Sequence, residues 1–171
     1  MHEGEVSTGI GVQGKAALAE DIHTYRNIEI LRYSGSRLHL SGISTKKSID
    51  LIRQAKKQSL NLTCSVSPYH LLYTDQQLAD YNSIYKVNPP LRTESDRKAL
   101  VKAVADGTVD CIASHHSPQQ WDDKQVEFEY AENGMLTLQT MLPMLLQLSA
   151  EIPIEKWIEL LNQLPAEYHV Y

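Results

Sequence analysis

Three short apolar runs, separated by helical patterns, constrain the fold more than any other feature of this chain. They cover residues 37–43, 60–66 and 109–113, and each is followed by polar or turn residues. Runs of this length bounded by turn signals suit β-strands. Between them, residues 48–58 carry Ile49, Ile52 and Ala55 at helical spacing, and residues 94–106 repeat the pattern with Leu100, Val101 and Val104. Gly107 follows the second pattern as a C-terminal cap. Residues 17–33 form a further helix leading into the first strand, with Gly35 near the junction. After the third strand, residues 135–148 are strongly apolar and predict a largely buried helix, which Pro143 should kink or break. A last helix is expected over residues 154–164, with Pro153 at its start. Strands alternating with helices at this spacing predict βαβ units and a parallel sheet. Three strands are few for such a plan, and a complete eightfold β/α barrel takes about 250 residues. Periodicity alone leaves open a small open α/β domain or a part of a barrel.

Composition removes several function classes. At 171 residues and 42% hydrophobic content, residues 1–171 suit one globular domain. A net charge of -5 with scattered Lys and Arg argues against a nucleic-acid surface. No apolar stretch reaches the roughly 18 residues of a membrane span, and the opening MHEGEVSTGIGVQG lacks the marks of a secretory leader. Cys64 and Cys111 sit inside apolar runs, so two buried thiols in a reducing cytoplasm are expected rather than a disulfide. Together with His70, His115 and His116 they fit no zinc-finger spacing. Phosphate-loop, nucleophile-elbow and His-Glu-x-x-His motifs are absent from the sequence.

The segments after the strand ends carry more information. The chain reads LHLSGISTKKSIDLIRQAK, then LTCSVSPYHLL, KVNPPLR, DGTVDCIASHHSPQQWDDK and ENGMLTLQTMLPML. In this order and spacing the five strings resemble the dihydroorotase family of cyclic amidohydrolases, over nearly the whole chain. The opening MHEGEVST is similar to the stretch ahead of that family's sixth barrel strand. The resemblance implies the C-terminal part of a (β/α)8 barrel, about strands six to eight with their helices, and an active site at the C-terminal strand ends. It implies interconversion of N-carbamoyl-aspartate and dihydroorotate in pyrimidine synthesis, through zinc that activates a hydroxide. It also implies that the His-x-His pair and other ligands lie on strands outside this chain.

At two positions the chain departs from the family's pattern. Where catalytic members carry a zinc-ligating histidine at the end of the sixth strand, this chain has Gly42, followed by the retained Ile43-Ser44-Thr45. Where they carry the catalytic, metal-binding aspartate after the eighth strand, it has His115, in Ala113-Ser114-His115-His116-Ser117-Pro118. Glycine donates nothing to a metal. Imidazole can ligate, but it supplies no negative charge and holds its donor differently. The chain alone is therefore expected to bind no zinc, with no intact metal ligand and His115 as an altered catalytic position. His39, three residues before Gly42, is expected to point to the barrel exterior by strand alternation.

The resemblance further assigns substrate contacts to Asn88, to Gln119 in place of a family histidine, and to the Asn133-Gly134 loop. Plain structural readings stand beside each: Asn88 as a turn residue before two prolines, and Asn133-Gly134 as a turn before a helix. His70 is expected to be a structural loop histidine. Arg92 and Lys86 are expected to carry solvated loop charge or to pair with Asp96 and Glu94.

Two functional readings follow. One is a piece of a dihydroorotase-like hydrolase. The other is a non-catalytic homologue serving as a scaffold or partner for the aspartate transcarbamoylase, and beside both stands a decaying or truncated gene whose product does little. Expected partners are the remaining barrel strands, a homodimer partner or that transcarbamoylase, with neither nucleic acid nor membrane. Two open sheet edges with apolar faces predict that the isolated chain associates.

Overall fold

A computed structural model describes residues 1–163. Its centre is a three-stranded parallel sheet in the order β1-β2-β3, built from Leu38–Leu40, Leu62–Val66 and Cys111–Ile112. Leu38 lies opposite Leu62, Leu40 opposite Cys64, Ser65 opposite Cys111 and Val66 opposite Ile112. Parallel neighbours require long crossovers, and helices supply them. Counted from the N-terminus, α1 is Glu5–Gly9, α2 is Ala17–Ser34, α3 is Lys46–Lys57, α4 is Pro68–Leu72 and α5 is Glu94–Ala105. Beyond the sheet lie α6 (Trp121–Lys124), α7 (Met141–Leu146) and α8 (Ile154–Ile158).

Helix boundaries follow local chemistry. Thr45 caps α3 by accepting from the Ser48 N–H, and Thr93 with Asp96 forms a reciprocal capping box on α5. Gly35 ends α2 in the left-handed conformation at φ 62.

Strand alternation divides the sheet into two unlike faces. Leu40, Leu62, Cys64, Val66 and Ile112 join Ile49 and Ile52 of α3 and Leu100 and Val104 of α5 in the main core, which also holds the fully buried Trp157. The other face carries His39, Thr63, Ser65 and Cys111. At the N-terminal end of the sheet, Asp110 accepts from the Cys64 N–H at 2.7 Å and from Lys56 Nζ. Both cysteines are buried and free, and burial pushes their thiols up, to about 12 for Cys64 and about 11 for Cys111. Neither is a nucleophile at neutral pH.

The first three expected helices form within two residues of their expected limits. The fourth does not. Residues 135–140 are not helical, and α7 begins only at Met141. Pro143 then sits in the first turn, where its missing N–H costs nothing, so it starts the helix rather than kinking it. The backbone before it is held elsewhere: His116 Nδ1 accepts from the N–H groups of Thr137 and Leu138, both at 3.1 Å. The segment is not largely buried either, since Leu136, Leu138 and Leu142 are about half exposed. The last helix starts at Ile154 as expected and widens into a π-type turn over Glu159–Gln163, and Leu164 lies outside the described residues.

On its outward side α2 leaves Leu18, Ile22, Tyr25 and Tyr33 exposed, four residues close to one helical stripe. β1 stands beside it as a sheet edge. A stripe of this kind next to an open edge calls for a neighbour. Sedimentation of the isolated chain is expected to show species larger than a monomer, and Ile22→Lys with Tyr25→Lys should shift the distribution toward monomer. A purely monomeric parent chain would refute this. Among the described residues, no helix is long and apolar enough to cross a membrane.

Candidate functional site

The loops that leave the C-terminal ends of the three strands converge. After β1 the chain bends at Gly42 (φ 72), and the N–H groups of Gly42 and Ile43 both donate to Ser65 O at 3.1 Å. After β2, His70 is buried in α4. Its Nδ1 lies 2.8 Å from Ser67 Oγ, and its Nε2 lies 3.1 and 3.2 Å from the carbonyls of Pro89 and Pro90. An Nε2–H shared by two carbonyls leaves Nδ1 to accept from the Ser67 hydroxyl. His70 thereby fixes the Asn88–Arg92 loop, the structural role expected for it, and burial pulls its pKa down to about 4.

His115 leaves β3 in the left-handed region at φ 46. It lines a polar cavity of about 380 Å³ together with Asn88, Asn133 and Gly134. His116, Ser117, Tyr69 and Val87 complete the lining. Four of the positions singled out in the sequence therefore meet in one pocket. Asn88 Oδ1 accepts from Lys15 Nζ at 3.2 Å. Gly134 cannot be replaced without movement: a Cβ there would lie 2.3 Å from the Ser117 carbonyl oxygen. The backbone of the Asn133-Gly134 loop is already engaged within the protein, because Gly134 N–H donates to Lys86 O at 2.9 Å and Asn133 O accepts from Gln119 Nε2 at 2.9 Å.

Gln119 lies outside that pocket. It lines a neighbouring, mainly apolar cavity of about 650 Å³ that shares Gly134 and is walled by Tyr85, Trp121, Met135 and Met144. Gly42 lies outside it too, but it touches the pocket's key residue. A Cβ at position 42 would stand 2.9 Å from His115 Cε1 and 3.2 Å from Nε2. Burial lowers the His115 pKa.

Three expectations from the sequence are corrected. His39 does not face the helices. It shares a sheet face with Thr63 and Ser65, and its ring spans them, with Nδ1 2.8 Å from Thr63 Oγ1 and Nε2 3.3 Å from Ser65 Oγ. Arg92 is 5% exposed and carries no solvated charge: it donates to Ser44 Oγ and Lys15 O and pairs with Glu20 at 3.5 Å. Lys86 donates to the carbonyls of Phe128, Glu129 and Ala131, clamping the loop that carries Asn133. Asp96 and Glu94 instead cap and brace α5. Sequence reasoning missed Ser41, Glu20 and Lys124. Lys124 donates to carbonyls of Ser83, Lys86 and Glu132 and fastens the same loop from the other side. A lone serine or lysine in a polar loop gives no sequence signal for such roles.

The donor set does not suit zinc. Gly42 offers no donor, His115 brings no carboxylate, and among the described residues no three His, Cys, Asp or Glu side chains gather as a metal site.

No family model matches the chain. Curated relatives do. It is 40% identical over 169 residues to a dihydroorotase of Trichlorobacter lovleyi, covering 98% of this chain and 40% of the relative. It is 40% identical over 157 residues to a dihydroorotase of Streptomyces coelicolor, covering 92% of this chain and 37% of the relative. The chain thus spans about two fifths of the length of these relatives. Among solved structures it resembles an L-hydantoinase from Arthrobacter aurescens, with TM-score 0.80 and 26% identity over 86% of this chain and 34% of that one. A Saccharomyces cerevisiae dihydroorotase in complex with 5-fluoroorotic acid matches with TM-score 0.69 and 19% identity, over 79% of this chain and 39% of that one, a likeness of fold alone. The parallel sheet with its crossover helices is therefore part of a TIM-type barrel, and the chain belongs to the dihydroorotase family of cyclic amidohydrolases.

Proposed function

We propose that this chain is the strand-six-to-eight portion of a dihydroorotase-like barrel, a fold of the pyrimidine pathway whose reaction interconverts N-carbamoyl-aspartate and dihydroorotate, and that it is not catalytic as it stands. The carrying observation is the pair Gly42 and His115. Two positions that the family resemblance assigns to the metal hold a residue with no side chain and one with no carboxylate, and the two are in contact. One altered ligand can be compensated by a neighbour, but two at a single centre remove both charge and geometry. The polar cavity with Asn88, Asn133 and His115 remains. It keeps hydrogen-bonding groups suited to a ureide or carboxylate but no group to activate water.

A scaffold role, with the chain docking on the transcarbamoylase that acts one step earlier, is the second reading. It is favoured by the exposed apolar stripe of α2, which gives the chain a surface to dock with.

Elemental analysis of the purified chain, and of the longest natural product that contains it, is expected to find zinc far below one ion per chain. An assay of carbamoyl-aspartate cyclisation should read background. The double change Gly42→His with His115→Asp should leave the isolated chain inactive, because the other ligands are not on it. Stoichiometric zinc with turnover would overturn the non-catalytic reading.

A further inference from the structure

The end of β1 and the end of β3 are separated by β2, yet a line of hydrogen bonds joins them. Ser65 Oγ donates to Ser41 Oγ at 3.2 Å, which uses its single proton. His39 Nε2, 3.3 Å from Ser65 Oγ, must then be the donor of that pair. In a neutral ring its Nδ1 is left to accept from the Thr63 hydroxyl, 2.8 Å away. The Ser41 proton remains free for His115 Nε2 at 3.4 Å. Every hydroxyl gives one proton in the same direction, from Thr63 through His39, Ser65 and Ser41 to His115.

The imidazole at the end of this line fits only over glycine. A Cβ at position 42 would lie 2.9 Å from its Cε1, a separation that real contacts do not show, and 3.7 Å from Pro89 Cδ, an ordinary contact. Gly42 also stands at φ 72, where a side chain is strained in any case. His115 accepts the left-handed backbone itself, at φ 46. A strained residue persists only where its surroundings hold it in place.

We propose that His115 is a latch: its ring, seated on Gly42 and bonded by Ser41, ties the end of β3 to the end of β1 across β2 with its Nε2 lone pair already engaged. The two departures from the family pattern are then one interlocked unit. A side chain at 42 needs the room that the ring at 115 fills. The latch deepens the metal-free reading, and a chelator in every labelling sample keeps the two apart.

The test is site-resolved mass spectrometry of histidine carbethoxylation in the intact chain, since the reagent attacks a free ring lone pair. His70, 2% exposed with both nitrogens bonded, is the internal control for the fold. In the parent chain His115 is expected to react slowly, as is His116, whose Nδ1 lone pair accepts from the Thr137 and Leu138 N–H groups. Gly42→Ala should expel the ring and speed labelling of His115 roughly three- to tenfold, the range expected for losing one hydrogen bond, while His70 stays protected. An unchanged His115 rate with His70 protected overturns the latch. Should Gly42→Ala expose His70 as well, Ser41→Ala decides, because it adds no atom. It should speed His115 labelling alone, and no change there also overturns the proposal. Zinc found by elemental analysis in samples without chelator would sink the metal-free reading and leave the labelling result standing.

Discussion

Arg92→Met is expected to lower stability by about 3 kcal/mol, a drop in Tm of roughly 6–12 °C for a chain of this size. The guanidinium lies where four segments meet. It donates to Lys15 O of the N-terminal hook at 3.0 Å and to Ser44 Oγ of the β1–α3 loop at 3.0 Å, and it pairs with Glu20 of α2. Glu20 in turn accepts from the N–H groups of Ser44 at 2.9 Å and Thr45 at 3.0 Å, at the start of α3. Methionine matches the stem but removes every donor, so a carboxylate with 15% side-chain exposure loses its cation partner among the described residues. The backbone donors and the α3 N-terminus keep part of its charge compensated, which places the cost near the low end for a broken buried pair. Arg92→Lys should recover only part of the loss, because a point charge cannot serve three acceptors in a fork. Adding Glu20→Gln to Arg92→Met should restore some stability by removing the unpaired charge. Thermal melts of the four proteins check this, and a parent-like Tm for Arg92→Met would refute the buried pair.

The same residue shows where sequence reasoning stops. Its burial depends on Glu20 and Lys15, more than 70 positions away, and no local pattern records that. The strands, α3 and α5 were legible because each buries one face with its own period and the helices carry their own caps, whereas α2 buries Asp21 and Thr24 beside Ile28 and Leu31 and is marked chiefly by Gly35 at its end. The helix expected over residues 135–148 was misplaced because apolar content does not say which partner holds the backbone, and here His116 and Ser117 do. The face of His39 was misjudged for a geometric reason. Alternation was counted from Gly42, which lies beyond the strand end in a left-handed bend, and parity does not pass through such a bend. Of the positions singled out by resemblance, Asn88, His115, Asn133 and Gly134 line one pocket and Gln119 lines its neighbour, since loops after strand ends share one rim. It could not show that Gly42 and His115 touch, because that contact depends on the ring's rotamer and on two left-handed residues.

Acidification should cost the fold roughly 2–3 kcal/mol between pH 7 and pH 4.5 through His70 alone. Burial drops its pKa from 6.5 to about 4. The folded state therefore keeps the ring neutral over a range where the unfolded chain has already taken up a proton. Stability rises with pH wherever the unfolded state binds more protons, so the contribution is complete above pH 6.5, is lost as pH falls from there, and flattens below about 4. The physical cause is specific. Burial away from water disfavours the charged ring and outweighs the carbonyls of Pro89 and Pro90, which favour it, and a second proton on Nδ1 would face the Ser67 hydroxyl and displace its hydrogen. His2, His39 and His115 are also shifted downward by burial and act in the same direction, while Asp75, raised by burial, acts against them. Urea unfolding of the parent chain at pH 7 and pH 4.5, set beside His70→Gln, isolates the term. The variant should be less stable at pH 7 but should lose distinctly less on acidification, because glutamine has no proton to gain. Equal losses in parent and variant would mean that the ring beneath the Pro89-Pro90 turn titrates as freely as one in solvent.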